Sequence, residues 1–148
     1  MSLKDKQVSV LRSHMQKIMR SFPASSVQTP CGVKISTSLA HVLLTLFKAQ
    51  DSLVNQQILA KELSLNKSSI ARICTELEES GFIKIGTNVN DKRNNTVVLT
   101  TKGLKLSERL KNQGDKHFQS ILERIPKNKI NEILNSLEVL INALELDN

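Results

Sequence analysis

Aromatic side chains are nearly missing from this chain: four Phe, no Tyr and no Trp in 148 residues. Proteins that grip single-stranded nucleic acid stack bases on aromatic rings, so that mode of binding has almost nothing to work with. Cysteine is equally sparse. Cys31 and Cys74 lie far apart, with no C-x-x-C pair to hold a metal and too few thiols for a disulfide scaffold. No apolar run reaches the length of a membrane span. Charges recur from Lys4 to Arg20, where a signal peptide would need an apolar core. These absences predict a cytoplasmic protein with no membrane partner. Enzyme signatures are missing too: no glycine-rich phosphate loop, no metal-binding doublet, no legible nucleophile–base–acid set. The chain is therefore read as a non-enzyme, and nothing in it implies a cofactor.

What is present suits one soluble domain with a real core, since 39% of the residues are hydrophobic and 24% charged. The net charge of +7 favours a polyanionic partner. That excess is uneven. Residues 1–37 hold six Lys/Arg against one acid, residues 38–100 seven against six, and residues 101–148 eight against seven. Charge alone thus points to the N-terminal arm, and a case for nucleic acid must rest on where particular side chains stand.

The informative stretch runs from Asn55 to Thr100. Asn55 and Asn66 are each suited to cap a helix, their side chains accepting from free backbone N–H groups. The first helix takes its apolar face from Ile58, Leu59 and Leu63, and Ser64-Leu65 makes the turn. On the second, Ile70, Ile73, Cys74 and Leu77 fall within one arc of a 3.6-residue period. The opposite arc presents Ser68, Arg72 and Thr75, with Lys67 and Ser69 near the first turn. The acids Glu76, Glu78 and Glu79 come only in the last turns. Small polar and basic groups at the start of a helix suit entry into a major groove. Arg72 can donate two hydrogen bonds to a guanine edge, and Ser or Thr can serve bases or phosphates. Gly81 closes this helix. Phe82 to Ile85 and Thr96 to Leu99 read as antiparallel strands around a polar loop, residues 86–95, whose Arg93 suits a narrow minor groove. Asp91 would repel phosphate unless it braces Arg93 or Arg72. The fold class is mainly α with a small β-wing: a winged helix-turn-helix. The candidate DNA-contacting residues are Asn66, Lys67, Ser68, Ser69, Arg72, Thr75, Asp91, Lys92, Arg93 and Asn94.

The flanks read as helices. Val8, Leu11, Met15, Ile18 and Phe22 recur at helical steps over residues 4–21, which Phe22-Pro23 ends. Residues 23–35 read as a loop or short turn, with Pro23, Pro30 and Gly32 as breakers. A helix from Ser36 or Thr37 to about Ala49 buries Leu39, Val42, Leu43, Leu46 and Phe47, with His41 beside that stripe. Thr100 or Thr101 starts a long helix to about Arg124, which Gly114 could bend or break. A last helix after Pro126 carries Ile130, Ile133, Leu134, Leu137, Leu140, Ile141 and Leu144, a face too wide for the surface of a small monomer. Self-association with the first helix is the preferred reading, against packing within the chain.

With those residues in hand, the chain resembles the MarR family of bacterial transcription regulators over nearly its full length. Asp91-Lys92-Arg93 followed by Val98-Leu99-Thr100-Thr101-Lys102-Gly103 looks like the family's D-x-R wing and L-T-x-x-G start of the fifth helix. Leu59-Ala60, Ser68 to Arg72, and Leu77 to Gly81 match the recognition region without a gap. The resemblance implies a single domain over 1–148. In it, 1–35 and 101–148 supply dimerisation helices and a connecting loop, and 36–100 the winged lobe. It also implies an obligate homodimer on double-stranded DNA, with Lys67, Ser68, Ser69, Arg72 and Thr75 facing the major groove and Arg93 in the minor groove. The target would be a pseudo-palindrome with half-sites roughly 34–36 Å apart. Gly86, where many relatives are basic, and the polar pair Asn94-Asn95 depart from the pattern at the wing. A ligand-responsive repressor is the expected role, with a small-molecule effector pocket lined from helices one, two and five near His41.

Three other readings stand beside it. A winged-helix module that binds protein would tolerate loss of Arg72 and Arg93. A redox switch would need a reactive thiol, yet oxidant-sensing relatives carry theirs in the first helix. Here Cys31 follows that helix, and Cys74 lies on a buried arc. A zinc sensor could draw on Cys31, His41 and His117, but no fourth ligand stands out.

Overall fold

The computed structural model describes residues 3–21, 27–28, 34–49, 52–86 and 95–145. The chain divides into two units, Met1–Thr37 and Ser38–Asn148. The first holds helix α1, Leu3–Ser21, and two short strands, β1 (Val27–Gln28) and β2 (Lys34–Ile35). The strands pair antiparallel, Val27 opposite Ile35 and Gln28 opposite Lys34. At these four residues the pairing replaces the expected loop or short turn, and the rest of 23–33 lies outside the described residues: two-residue strands are too short to show alternation. No residue of α1 is buried.

Helix α2, Thr37–Lys48, buries Leu39, Ala40, Val42, Leu43 and Leu46. Phe47, expected among them, is only half-buried. Two short helices follow, α3 (Gln56–Glu62) and α4 (Lys67–Glu79), then strands β3 (Ile83–Gly86) and β4 (Thr96–Leu99). The strands pair antiparallel, from Ile83 opposite Leu99 to Gly86 opposite Thr96. On its other edge β4 is also held: Val97 N–H donates to the Val54 carbonyl at 2.7 Å, and Asn55 bridges Thr96. The wing therefore has β4 at its centre, with the residues just before α3 as a third, minimal strand. The mainly α architecture with a small β-wing is as expected.

Helix α5, Thr101–Leu122, is continuous. Gly114 neither bends nor breaks it enough to interrupt its hydrogen bonding, and the space around this glycine is open. The first half of α5 buries Gly103, Leu106, Ser107 and Leu110; no described residue after Leu110 is buried. Ser107, fully buried, donates to the Gly103 carbonyl at 2.8 Å and lies 3.3 Å from that of Leu43, so its hydroxyl is satisfied where α5 meets α2. Helix α6, Lys127–Glu145, buries nothing. The core of the second unit is thus built by α2, α3, α4, the wing strands and the start of α5. Leu43, Leu59, Ile70, Leu77 and Ile83 are among its fully enclosed side chains. Among the described residues no helix is long and apolar enough to cross a membrane.

Candidate nucleic-acid interface

The two motif helices begin as their caps dictate. Asn55 Oδ1 accepts Ile58 N–H and Asn66 Oδ1 accepts Ser69 N–H, each at 2.8 Å and each from extended backbone. Of the residues expected to bury the first helix, Leu59 is enclosed, Leu63 is half-buried and Ile58 is 41% exposed. A helix of two turns has room for a single buried ridge, and successive residues point about 100° apart. The turn between the helices places Ser64 at φ 51°, in left-handed geometry that a side chain adopts at a cost.

On α4 the buried arc is Ile70, Ile73, Cys74 and Leu77, the four read from periodicity. Lys67, Ser68, Arg72 and Thr75 are exposed and Ser69 is half-buried. Ala71, which periodicity did not single out, is also exposed, on the stripe of Ser68 and Thr75. Asn66, besides capping, accepts the Ser68 hydroxyl at 2.8 Å. The face thus combines Lys67 in the first turn and Arg72 in the second with small side chains that let a duplex approach closely.

The far end of α4 is tied down from three directions. Gly81, at φ 77°, carries the chain out of the helix: its N–H donates to Glu78 O and that of Phe82 to Leu77 O, both at 2.9 Å. Glu78 Oε1 accepts Ile85 N–H from β3 at 2.9 Å. From α5, Thr100 donates its hydroxyl to Gly81 O at 2.7 Å and Lys102 Nζ donates to Ser80 O at 2.8 Å, with the ammonium 4.5 Å from the Phe82 ring centre. Thr100 also caps α5, accepting Gly103 N–H at 3.0 Å. The next turn passes so close to Phe82 that a Cβ at Gly103 would overlap the Phe82 carbonyl oxygen. Lys102 was missed as a positioning residue, because nothing in its spacing distinguishes it from a solvated lysine.

Residues 35–94 match the model of the MarR family. Over these 60 of its 148 residues the chain is similar to the MarR family. The HTH-type transcriptional regulator PrsX of Escherichia coli is 30% identical over 76 residues, 51% of this chain and 46% of PrsX. The chain thus spans about half the length of the curated relatives it matches. Among solved structures, a Staphylococcus aureus MepR–DNA complex superposes with a TM-score of 0.77 at 20% identity, covering 93% of this chain and 97% of MepR. A MarR/EmrR family regulator from Acinetobacter sp. ADP1 gives 0.73 at 20% identity, with 99% of each chain covered. At that identity the likeness carries the fold.

The wing tip, with Asp91, Lys92, Arg93 and Asn94, lies outside the described residues, and so does the expected bracing of Arg93 or Arg72 by Asp91. Gly86 faces Thr96 closely: a Cβ there would come 2.9 Å from the Thr96 hydroxyl. At the wing's base Asn95 Oδ1 is buried without a hydrogen-bond partner. His41 is exposed beside an open hollow of about 230 Å³ lined also by Leu44, Thr45, Lys48 and Leu63. Its lining is from α2 and the end of α3, with no residue of α5. His117 is exposed on α5, edge-to-face with Phe118. No three His, Cys, Asp or Glu side chains converge among the described residues; Cys31 lies outside them. The Cys74 thiol is enclosed, and burial, then the nearby Glu78 carboxylate, pushes its pKa up to about 11. It stays protonated near neutrality, which makes it a packing group and a poor nucleophile.

Proposed function

We propose that this chain is a sequence-specific double-stranded-DNA-binding transcriptional regulator that acts as a homodimer on a pseudo-palindromic operator. The observation that carries this reading is the outward face of α4. Lys67, Ser68, Arg72 and Thr75 stand exposed along the first three turns of a helix that is capped at its start and fixed at its other end by hydrogen bonds from β3 and α5. A helix held this way can be pressed into a major groove without deforming. The DNA-bound MepR neighbour supports the same use of the fold. In this reading Arg72 contacts a base edge, Lys67 a phosphate, and Arg93 the adjacent minor groove.

The dimer reading rests on α1 and α6. Each presents apolar side chains with none buried, among them Leu11 and Ile18 on α1 and Leu134, Leu137, Ile141 and Leu144 on α6. Surfaces of that kind mark sites of association. Small-molecule control, with repression as the default output, is the further expectation; MepR has been seen bound to ethidium bromide. A ligand would act by binding the DNA-competent and incompetent forms unequally.

The test is fluorescence anisotropy of the full chain on a duplex selected from a randomised pool and on its scrambled counterpart, each at two salt concentrations. Specific binding that survives moderate salt is expected. Arg72→Ala should then cost on the order of 1–3 kcal/mol and relax preference at one base pair. Equal, salt-collapsed binding to both duplexes would reduce the protein to a polycation on a polyanion.

A further inference from the structure

The hydroxyls on the outward face of α4 have a fixed donor and acceptor sense. Asn66 Oδ1 accepts the backbone N–H of Ser69. A backbone N–H only donates, so the amide atom facing it is the oxygen, and the amide cannot be turned the other way. That same oxygen is 2.8 Å from Ser68 Oγ. An amide oxygen has no proton to give, so the Ser68 hydroxyl is the donor. Thr75 Oγ1 lies 2.9 Å from the Ala71 carbonyl and donates to it for the same reason. Each hydroxyl has one proton, and in both it is directed back into the protein. What remains for a partner is lone pairs.

Acceptors do not pair with phosphate oxygens, which are acceptors themselves. In the major groove the groups that donate are the N6 amino group of adenine and the N4 amino group of cytosine. Exposed Ala71 decides between them. It lies on the same stripe as Ser68 and Thr75, three residues after one and four before the other, and with Thr75 it adds methyl groups there. The apolar group of the major groove is the thymine 5-methyl. A cytosine–guanine pair offers an amino donor without a methyl, whereas an adenine–thymine pair offers both.

We propose that Ser68, Ala71 and Thr75 form a reader of adenine–thymine pairs. The two hydroxyls accept from adenine N6, the methyl groups meet the thymine methyl, and Arg72 reads a guanine beside them. The proposal rests on α4 being a DNA-recognition helix and adds what it reads. It also assigns the two hydroxyls to bases rather than to the backbone.

The experiment selects duplexes from a randomised pool with the full-length protein. The enriched duplex is then compared by anisotropy, at one fixed salt concentration, with two edited copies. One carries uracil for thymine, which removes the 5-methyl; the other carries unsubstituted purine for adenine, which removes the 6-amino group. Enrichment of A·T pairs is expected, with each edit at the contacted pair weakening binding on the order of fivefold, the low end for a mismatched pair. Thr75→Val and Ser68→Ala should weaken binding to the unedited duplex, yet add little once the amino group is gone. Because the edits are made in the DNA, they need no variant to fold. An enriched sequence indifferent to both edits would overturn the A·T reader while leaving the regulator intact. So would hydroxyl variants that weaken all duplexes equally and lower the salt slope, the behaviour of phosphate contacts. A pool that yields no enriched sequence would overturn the DNA-binding reading itself.

Discussion

Helices α4 and α6 are both amphipathic, and their apolar faces have met opposite fates. In α4, four of 13 residues are buried; in α6, none of 19 is. Leu77 of α4 is fully enclosed, whereas Leu137, at the middle of α6, is 42% exposed. The first helix finds its cover in α3 and the wing; in the second no described residue is buried. Periodicity announces that a face wants to be buried, but not whether the burial is supplied from within. On the dimer reading α6 is part of an interior surface that a second copy completes, and the winged lobe is the part that the single chain completes by itself.

The contrast is broken most forcefully by removing a methyl-rich group from each side. Leu77→Ala should cost on the order of 2–5 kcal/mol of lobe stability in urea denaturation, because the close-packed site cannot collapse around the loss. A cost below 1 kcal/mol would mean that α4 is not packed as described. Leu137→Glu should leave the far-UV spectrum of the lobe intact and convert a dimer to monomers in sedimentation at micromolar concentration. If the association state did not change, α6 would not be an interface. A finer probe is Ser64→Gly. It relieves the left-handed strain between α3 and α4, partly offset by a more flexible unfolded chain, and should raise stability by about 1 kcal/mol. The smallest effect is that of pH. The Cys74 thiol is raised from 9.0 to about 11, so the folded state holds its proton more tightly than the unfolded state does. Its contribution is complete below about pH 9 and is lost as the pH rises through about 11. Alkaline denaturation midpoints should therefore fall more steeply in the natural protein than in Cys74→Ala.

Much of the lobe was legible because several local signals agreed. Both Asn caps, the buried arc of α4, the glycine after it and the antiparallel strands all follow from spacing and turn chemistry. Ile58 was misjudged because a seven-residue helix is too short for its apolar residues to define one face. The β1–β2 hairpin and the bridge from Asn55 to Thr96 were invisible, since a strand of one or two residues has no period and its partner is chosen by tertiary packing. On the candidate interface, charge and size marked Lys67, Ser68, Arg72 and Thr75. The direction of their hydroxyl protons, and the exposure of Ala71 beside them, required coordinates.

The joint at Phe82 has a mechanical consequence. Its carbonyl oxygen accepts the Thr100 backbone N–H at 3.0 Å, lies 3.2 Å from the Thr100 hydroxyl, and abuts the bare backbone of Gly103. Nothing compressible separates the end of α4 from the beginning of α5, and Lys102 spans the same seam. A joint without slack transmits torque. Tilting the first turn of α5 would carry the end of α4 with it, and the half of α5 beyond Leu110, where none of its residues is buried, would serve as the arm of that lever.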